Sequence, residues 1–570
     1  MITLNNINLS SIGLSGIDLR GIKLGLGGRG GGSGDGFPQL PGDVTRWHFG
    51  GLTNEMMAAM DDPRIEDADH KGRFLSFKNF AWSGMSGVGG YTENYNSNRW
   101  YKTETRIDAT WTYKSFNARS IKDNIAAQLF YQSKPSDTGF RVLSCTIKVS
   151  GLTDGQGIEY VSNGTQQFVI MRIENDGIYH LPSFDFGAKN AYYGFRFLKL
   201  QESCNITIEQ LPLYPGALVF DGVDDCGTCD NFPVLTKEKG YTVVALRQWD
   251  RDFLNTTLTG GLLSTRNYST GEGVAFEKIE SSNKGYWNLG AGGFIDFAKS
   301  PFTWQTSKQY NNVGILKGDK NHGKPLCVGC GLSGGQQCGR FAIWELVFLD
   351  HDATEEELTK IKDYFVKTYP WLFPYQAWIV VGKTNEDEDR ATIANITGNG
   401  NDLILSNFGF AEGSGYNEQG EYAGYLVTDG VDDKIVSSVF GMGNDFTIVG
   451  DWKLINTGKN DNAGIVKFDS IVIYNYNPIL INIKNGRNNL IPDQNTVNAI
   501  CSDGRIYSKD WKESIYNEET ESTSKNLLTI GYSGNIYTKI AFKNLAIYPT
   551  VLSKGDCIKA YNYLQTLKAK

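Results

Sequence analysis

The run "LVFDGVDD" from Leu218 to Asp225 returns almost unchanged as "LVTDGVDD" from Leu426 to Asp433. From position 218 to position 426 is 208 residues, too long for a solenoid repeat and about the length of a whole domain. Four flanking blocks recur in the same order. Upstream, "WHFGGLTNE" from Trp47 matches "WIVVGKTNE" from Trp378 without a gap, and "RFLSFKNFAWSGMSGVGGY", ending at Tyr91, matches "NDLILSNFGFAEGSGY", ending at Tyr416. Downstream, "LCVGCGLSGGQQCGRFAIWELVF" from Leu326 pairs with "LTIGYSGNIYTKIAFKNLAIY" from Leu528, and "ATEEELTKIKDYF" from Ala353 pairs with "VLSKGDCIKAYNYL" from Val551. The chain therefore reads as one domain built twice.

The copies differ in one place. Thr53 to Asp221 is 168 residues, whereas Thr384 to Asp429 is 45, so the first copy carries about 120 extra residues (168 minus 45) between Tyr91 and "LPLYPGALVF". Within them "CTIKVSGL" from Cys145, "QQFVIMRI" from Gln166, "GFRFLKL" from Gly194 and "CNITIEQL" from Cys204 alternate apolar and polar residues, as half-buried strands do. This predicts an inserted β domain in a host loop whose ends lie close together. Each copy proper is a run of strands closed by a short helix. In the first, Thr354 and Glu357 form a capping box, and Leu358, Ile361 and Phe365 make an apolar face.

The composition agrees. The 570 residues include 66 Gly, 29 Tyr, 30 Phe and 12 Trp with 21% charged residues, which favours short strands joined by tight turns over long helices. The expected class is all-β, with two sheets packed face to face in each copy. Net charge is −8 with no long basic run, which removes the electrostatic footprint of nucleic-acid binding. No apolar run approaches the roughly 20 residues that cross a bilayer, and "MITLNNINLSSIGLSG" has neither a basic n-region nor an apolar h-region, so no membrane partner and no standard export are expected. Nine cysteines are too sparse for a disulfide scaffold and fit folding in a reducing cytoplasm.

The N-terminus has a period of five, with Ile at 2, 7, 12, 17 and 22 and Leu at 4, 9, 14, 19 and 24. It resembles the pentapeptide-repeat pattern, with Ile where that family prefers a small residue. So short a stack cannot bury its own face and needs a partner to cover it. "GLGGRGGGSGDG", from Gly25 to Gly36, then reads as a flexible tether. The expected organisation is an anchor at 1–24, a linker at 25–40, a first sandwich at 41–91 plus 215–371, an inserted β-sandwich at 92–214, and a second sandwich at 372–570.

"ALVFDGVDD", a later "VG…G" strand and the ending "AIWELVFLDHDATEEEL" resemble the laminin-G-like, concanavalin A-like jelly-roll sandwiches. That resemblance implies the fold of both copies and leaves function to the sites.

Two constellations carry possible chemistry. In the Asp-Gly-Val-Asp-Asp runs, Asp221-Gly222 and Asp429-Gly430 are strong turn dipeptides, because Gly accepts positive φ and Asp tolerates it. The alternative is calcium held by Asp224 and Asp225, or by Asp432 and Asp433, although the spacing is not that of a D-x-D-x-D-G loop. Cys226-x-x-Cys229 and Cys327-x-x-Cys330 have the ligand spacing of a four-cysteine zinc site. The second copy has Lys434, Ser437, Thr529 and Tyr532 there, and the alternative is strand cysteines acting as small hydrophobes.

The five histidines form no H-E-x-x-H, and no G-x-S-x-G or E-x-D-x-x-E strand occurs, so no enzyme is expected. "NEDEDR" from Asn385 reads as solvated surface, and Trp100, Trp111, Tyr192 and Tyr193 in the insertion are candidates for stacking on sugars. The signal-free start, the tether, and "KTNEDEDRATIANITGNGNDLILSNFGF" leading into "LVTDGVDD" resemble fibre or appendage proteins of tailed bacteriophages, above all crAss-like phages. The resemblance implies a virion protein made in the host cytoplasm. It would self-associate as a homodimer or homotrimer, attach to capsid or tail proteins through 1–24, and touch host-surface glycan. A bacterial cell-surface carbohydrate-binding protein and a glycan-degrading enzyme are the alternatives.

Overall fold

The computed structural model describes residues 36–567 apart from short internal stretches, the widest being 307–324 and 516–527, and gives only the backbone of the strands within 275–306 and 463–491. The five-residue repeat and most of the tether lie outside the described residues. The fold is all-β, with two jelly-roll sandwiches and a β domain inserted in the first.

The two copies have the same strand order. One sheet of the first runs Gly87–Val88, Leu218–Asp221, Arg340–Leu349, Thr242–Trp249, Phe302–Thr306, and its counterpart runs Gly415–Asn417, Tyr425–Val427, Ile540–Tyr548, Thr447–Leu454, Val497–Cys501. Even the irregularity recurs: a bulge falls between Leu246 and Arg247 in one sheet and between Asp451 and Trp452 in the other. The facing sheets also correspond, with Phe74–Lys78, Cys226–Cys229, Leu326–Val328 in the first and Leu403–Ser406, Lys434–Ser437, Leu528–Ile530 in the second.

Left-handed backbone positions mark the duplication residue by residue. Asn79 (φ 68°) answers Asn407 (69°), Trp82 (49°) answers Phe410 (48°), and Gly87 (140°) answers Gly415 (157°). This corrects one end of the sequence alignment. Tyr416 corresponds to Val88, not to Tyr91, because Asn54 brackets the backbone of Val88 (2.7 and 3.1 Å) as Asn385 brackets that of Tyr416 (2.8 and 2.8 Å). The residues after Val88 already belong to the approach to the insertion.

Strand Arg340–Leu349 shows why the long strands read as continuous apolar runs. Phe341, Ile343, Leu346 and Phe348 point into the first sandwich, while Ala342, Trp344, Val347 and Leu349 point to its back. That back face is covered by helix Glu355–Thr368, which starts with the predicted Thr354–Glu357 capping box and buries Ile361 and Phe365. The second sandwich covers its own back with helix Lys554–Gln565, through Cys557, Ala560 and Leu564. Both helices, the turn Pro370–Leu372 and both back faces belong to one continuous apolar cluster. Gln248 donates to Thr566 across it at 3.0 Å.

The insertion is a sandwich of two five-stranded antiparallel sheets with its own core, including Phe116, Leu129, Ile147, Phe195 and Ile206. Its neck is two chain segments held side by side. Leu213 N donates to Gly90 O (3.0 Å) and Tyr214 N to Gly89 O (2.8 Å), while the Gln210 amide accepts from Glu93 N (3.0 Å) and donates to Glu93 O (2.9 Å). Gln210 is 1% exposed, so both amide groups depend on these partners. A Gln210→Ala chain should be cleaved several-fold faster by limited proteolysis within 89–93 or 211–215, with little change in the melting of the two sandwiches.

Candidate functional site: a thiol cluster beside an aspartate turn

The turn at Asp221 carries the chain from one sheet of its sandwich to the other. Gly222 (φ 78°) permits the crossing, since a Cβ there would lie 2.8 Å from Cβ of Arg340. The carboxylates close the turn. Asp221 Oδ1 accepts from Val223 N at 2.7 Å, and Asp225 accepts from Asp221 N at 2.9 Å and from the Ser86 hydroxyl at 2.8 Å. Asn79 donates to Asp224 O at 3.0 Å. The second copy repeats every bond: Asp429 with Val431 (2.7 Å), Asp433 with Asp429 N (2.7 Å) and Ser414 (3.1 Å), and Asn407 with Asp432 O (2.9 Å).

Each aspartate trio is close enough to hold a metal ion. Yet a calcium ion needs six to eight oxygens, and both oxygens of the buried Asp225 and Asp433 already take donors from the chain. The geometry is that of a turn. Burial raises Asp225 to about 7 and Asp433 to about 6.

Directly after this turn lie the cysteines. Cys226 and Cys327 bring their sulfurs to 3.0 Å, Cys330 and Cys338 theirs to 2.7 Å, and all four side chains form one buried cluster. Among the described cysteines, the sulfurs of Cys226, Cys327 and Cys330 lie within 4.8 Å of one another, close enough to hold one metal ion. Cys330 also donates to the carbonyl of Asp225 at 3.4 Å, which ties the cluster to the turn.

Cys229 is not part of the cluster, which corrects the set Cys226, Cys229, Cys327, Cys330. Cys226–Cys229 is a strand rather than a knuckle, and residues three apart on a strand face opposite ways. Cys229 packs in the sandwich core near Leu326 and donates to Asn231 at 3.5 Å; burial pushes its thiol up to about 11. Cys338 takes the fourth place, because Cys330 and Cys338 face each other across adjacent antiparallel strands. Its signal was the third cysteine of "CVGCGLSGGQQC".

Of the aromatic candidates in the insertion, Trp100 and Tyr193 are buried in its core and Trp111 packs partly against Phe116. Tyr192 reaches the surface, stacked on Phe130 at 4.4 Å. In "NEDEDR", Asp387 accepts from Thr384 N at 2.9 Å and Asp389 accepts from Lys383 Nζ at 2.7 Å, so part of that run fixes its loop.

A second polar cluster escaped the sequence reading. Arg46 and Glu345, both fully buried, pair at 3.3 Å beneath helix Glu355–Thr368, where Glu345 also accepts from Tyr369 (2.9 Å) and meets His48 (2.6 Å). Ala377 and Asn544 stand at the matching register in the second copy.

No family model and no curated protein matches this chain. Among solved structures it is similar to a sialidase of Trypanosoma rangeli (TM-score 0.26, 7% identity, covering 80% of this chain and 93% of that one). It is also similar to the binding domain of botulinum neurotoxin serotype D (TM-score 0.23, 10% identity, covering 60% and 89%). The expectation that the chain is no enzyme is corrected here, since the similar structures include an enzyme; likeness at this level assigns no activity.

Asp225 also sets a pH dependence. Its value in the folded chain lies above the roughly 3.9 of an unfolded aspartate, so the folded state holds the proton longer. The resulting stabilisation is complete below about pH 4 and is lost as pH rises through 7. The stability advantage of the native chain over Asp225→Asn should therefore shrink between pH 4.5 and 7.5, by at least about 1.4 kcal/mol. Denaturant unfolding at the two pH values measures it, and a constant difference would mean that Asp225 ionises as in an unfolded chain.

Proposed function

We propose that the chain is a structural fibre or surface-appendage protein of a phage virion, fastened through residues 1–24 and tethered by 25–40, that presents its β-sandwiches to host-surface glycan. The observation that carries this reading is the division of labour in the fold. Two sandwiches share one apolar layer, while a third sandwich with its own core joins them through a two-segment neck and touches the second sandwich where His180 meets Lys543 Nζ at 3.3 Å. A paired scaffold bearing a separate module suits display, and the sequence before it supplies an apolar repeat that needs a partner and a Gly-rich tether. Among the described residues no helix is long and apolar enough to cross a membrane.

Immunogold electron microscopy with antibodies against residues 92–214, together with mass spectrometry of purified particles, tests the location. Label on the particle exterior is expected, and a free monomer found on no particle would overturn the reading. Binding of the full chain to host capsular polysaccharide is expected. Turnover would assign a glycan-degrading activity instead, and display on bacterial cells in the absence of phage would favour a cell-surface carbohydrate-binding protein.

A further inference from the structure

We propose that Cys226, Cys327, Cys330 and Cys338 are the four ligands of one structural zinc ion, which clips the first sandwich together and has no counterpart in the second. The four positions differ between the copies as a set. The strands that carry the cysteines correspond to those carrying Lys434, Thr529, Tyr532 and Tyr537, and the facing pair Cys330–Cys338 corresponds to the facing pair Tyr532–Tyr537. In the second copy Lys434 lies 5.8 Å from the Tyr537 ring, so a cation–π contact joins the positions that Cys226 and Cys338 occupy in the first. A lone buried cysteine is a small hydrophobe; four that replace a lysine, a threonine and two tyrosines in one place act as a unit.

The geometry suits zinc. Tetrahedral zinc with Zn–S of about 2.3 Å spaces its sulfurs about 3.8 Å apart. The two close pairs, at 3.0 and 2.7 Å, need to open by about an ångström, and Cys226, Cys327 and Cys330 already lie within 4.8 Å of one another. Binding releases four thiol protons to solvent, forms four Zn–S bonds and moves no electrons, leaving a doubly negative site. Lys78, directly across from Cys226 in the neighbouring strand, brings a cation to it. Two disulfides would use the same pairs, but they require an oxidant that nothing in the chain supplies. The ion would join Cys226 to residues 101 positions and more along the chain, the kind of long closure at which a clip constrains the unfolded state most.

Metal analysis of the full chain, purified under reducing conditions, should find about one zinc per chain. Cobalt in its place should give the absorption of a tetrahedral tetrathiolate. Cys338→Ser should lower the zinc content at least about fivefold, whereas Cys229→Ala should retain it. The fourfold variant C226K/C327T/C330Y/C338Y, carrying the second copy's residues, should fold without zinc. A folded, reduced chain that takes up no zinc or cobalt, or four of these cysteines found oxidised as two disulfides in the native protein, would overturn the proposal. So would loss of zinc in Cys229→Ala with retention in Cys338→Ser; that pair decides even if the fourfold variant does not fold.

Discussion

Everything in this fold rests on covering the back of a sheet. A jelly-roll sandwich buries the inner faces of its two sheets against each other, but strands Arg340–Leu349 and Ile540–Tyr548 are apolar on both faces, so each leaves a second apolar face to be kept from water. Each copy answers with a helix at its C-terminal end, and a helix of 14 or 12 residues is too narrow to finish the task alone. The two helices and the Pro370–Leu372 turn therefore share one layer, with Trp344 and Val347 from one sandwich and Ala546 and Tyr548 from the other. The tandem is in this sense a consequence of the strand pattern.

Within that frame the copies diverge where the frame does not need them to agree. The Asp-Gly-Val-Asp-Asp turn is retained bond for bond, since it moves the chain between sheets and both copies must make that crossing. Next to it, one copy holds four thiols and the other a lysine over a tyrosine ring. Under the back face, one copy holds a buried arginine–glutamate pair where the other has alanine and asparagine. Conserved geometry marks the structural part, and divergence beside it marks the places where each copy acquired properties of its own.

The sequence made the duplication, the insertion and the helix cap legible, because each leaves a local signal: recurring blocks, unequal spacing, a Thr-x-x-Glu pair. The thiol set was only partly legible. Cys-x-x-Cys looks the same in a zinc knuckle and in a strand, and only strand pairing shows that Cys229 turns away while Cys338 faces Cys330. Likewise Tyr91 and Tyr416 looked equivalent because aromatic residues end both blocks, whereas left-handed Gly87 and Gly415 fix the register elsewhere. The Arg46–Glu345 pair left no signal at all, since two charged residues about 300 positions apart do not announce that they meet in an apolar layer.

The central claim, that the two sandwiches share a core while the insertion keeps its own, is tested most directly by calorimetry of the full chain beside residues 372–570 expressed alone. The account predicts one joint transition for both sandwiches, a separate one for the insertion, and a marked fall in the melting temperature of the isolated second sandwich, whose back face would be exposed to water. An isolated second sandwich that melts at the same temperature as in the full chain would contradict it.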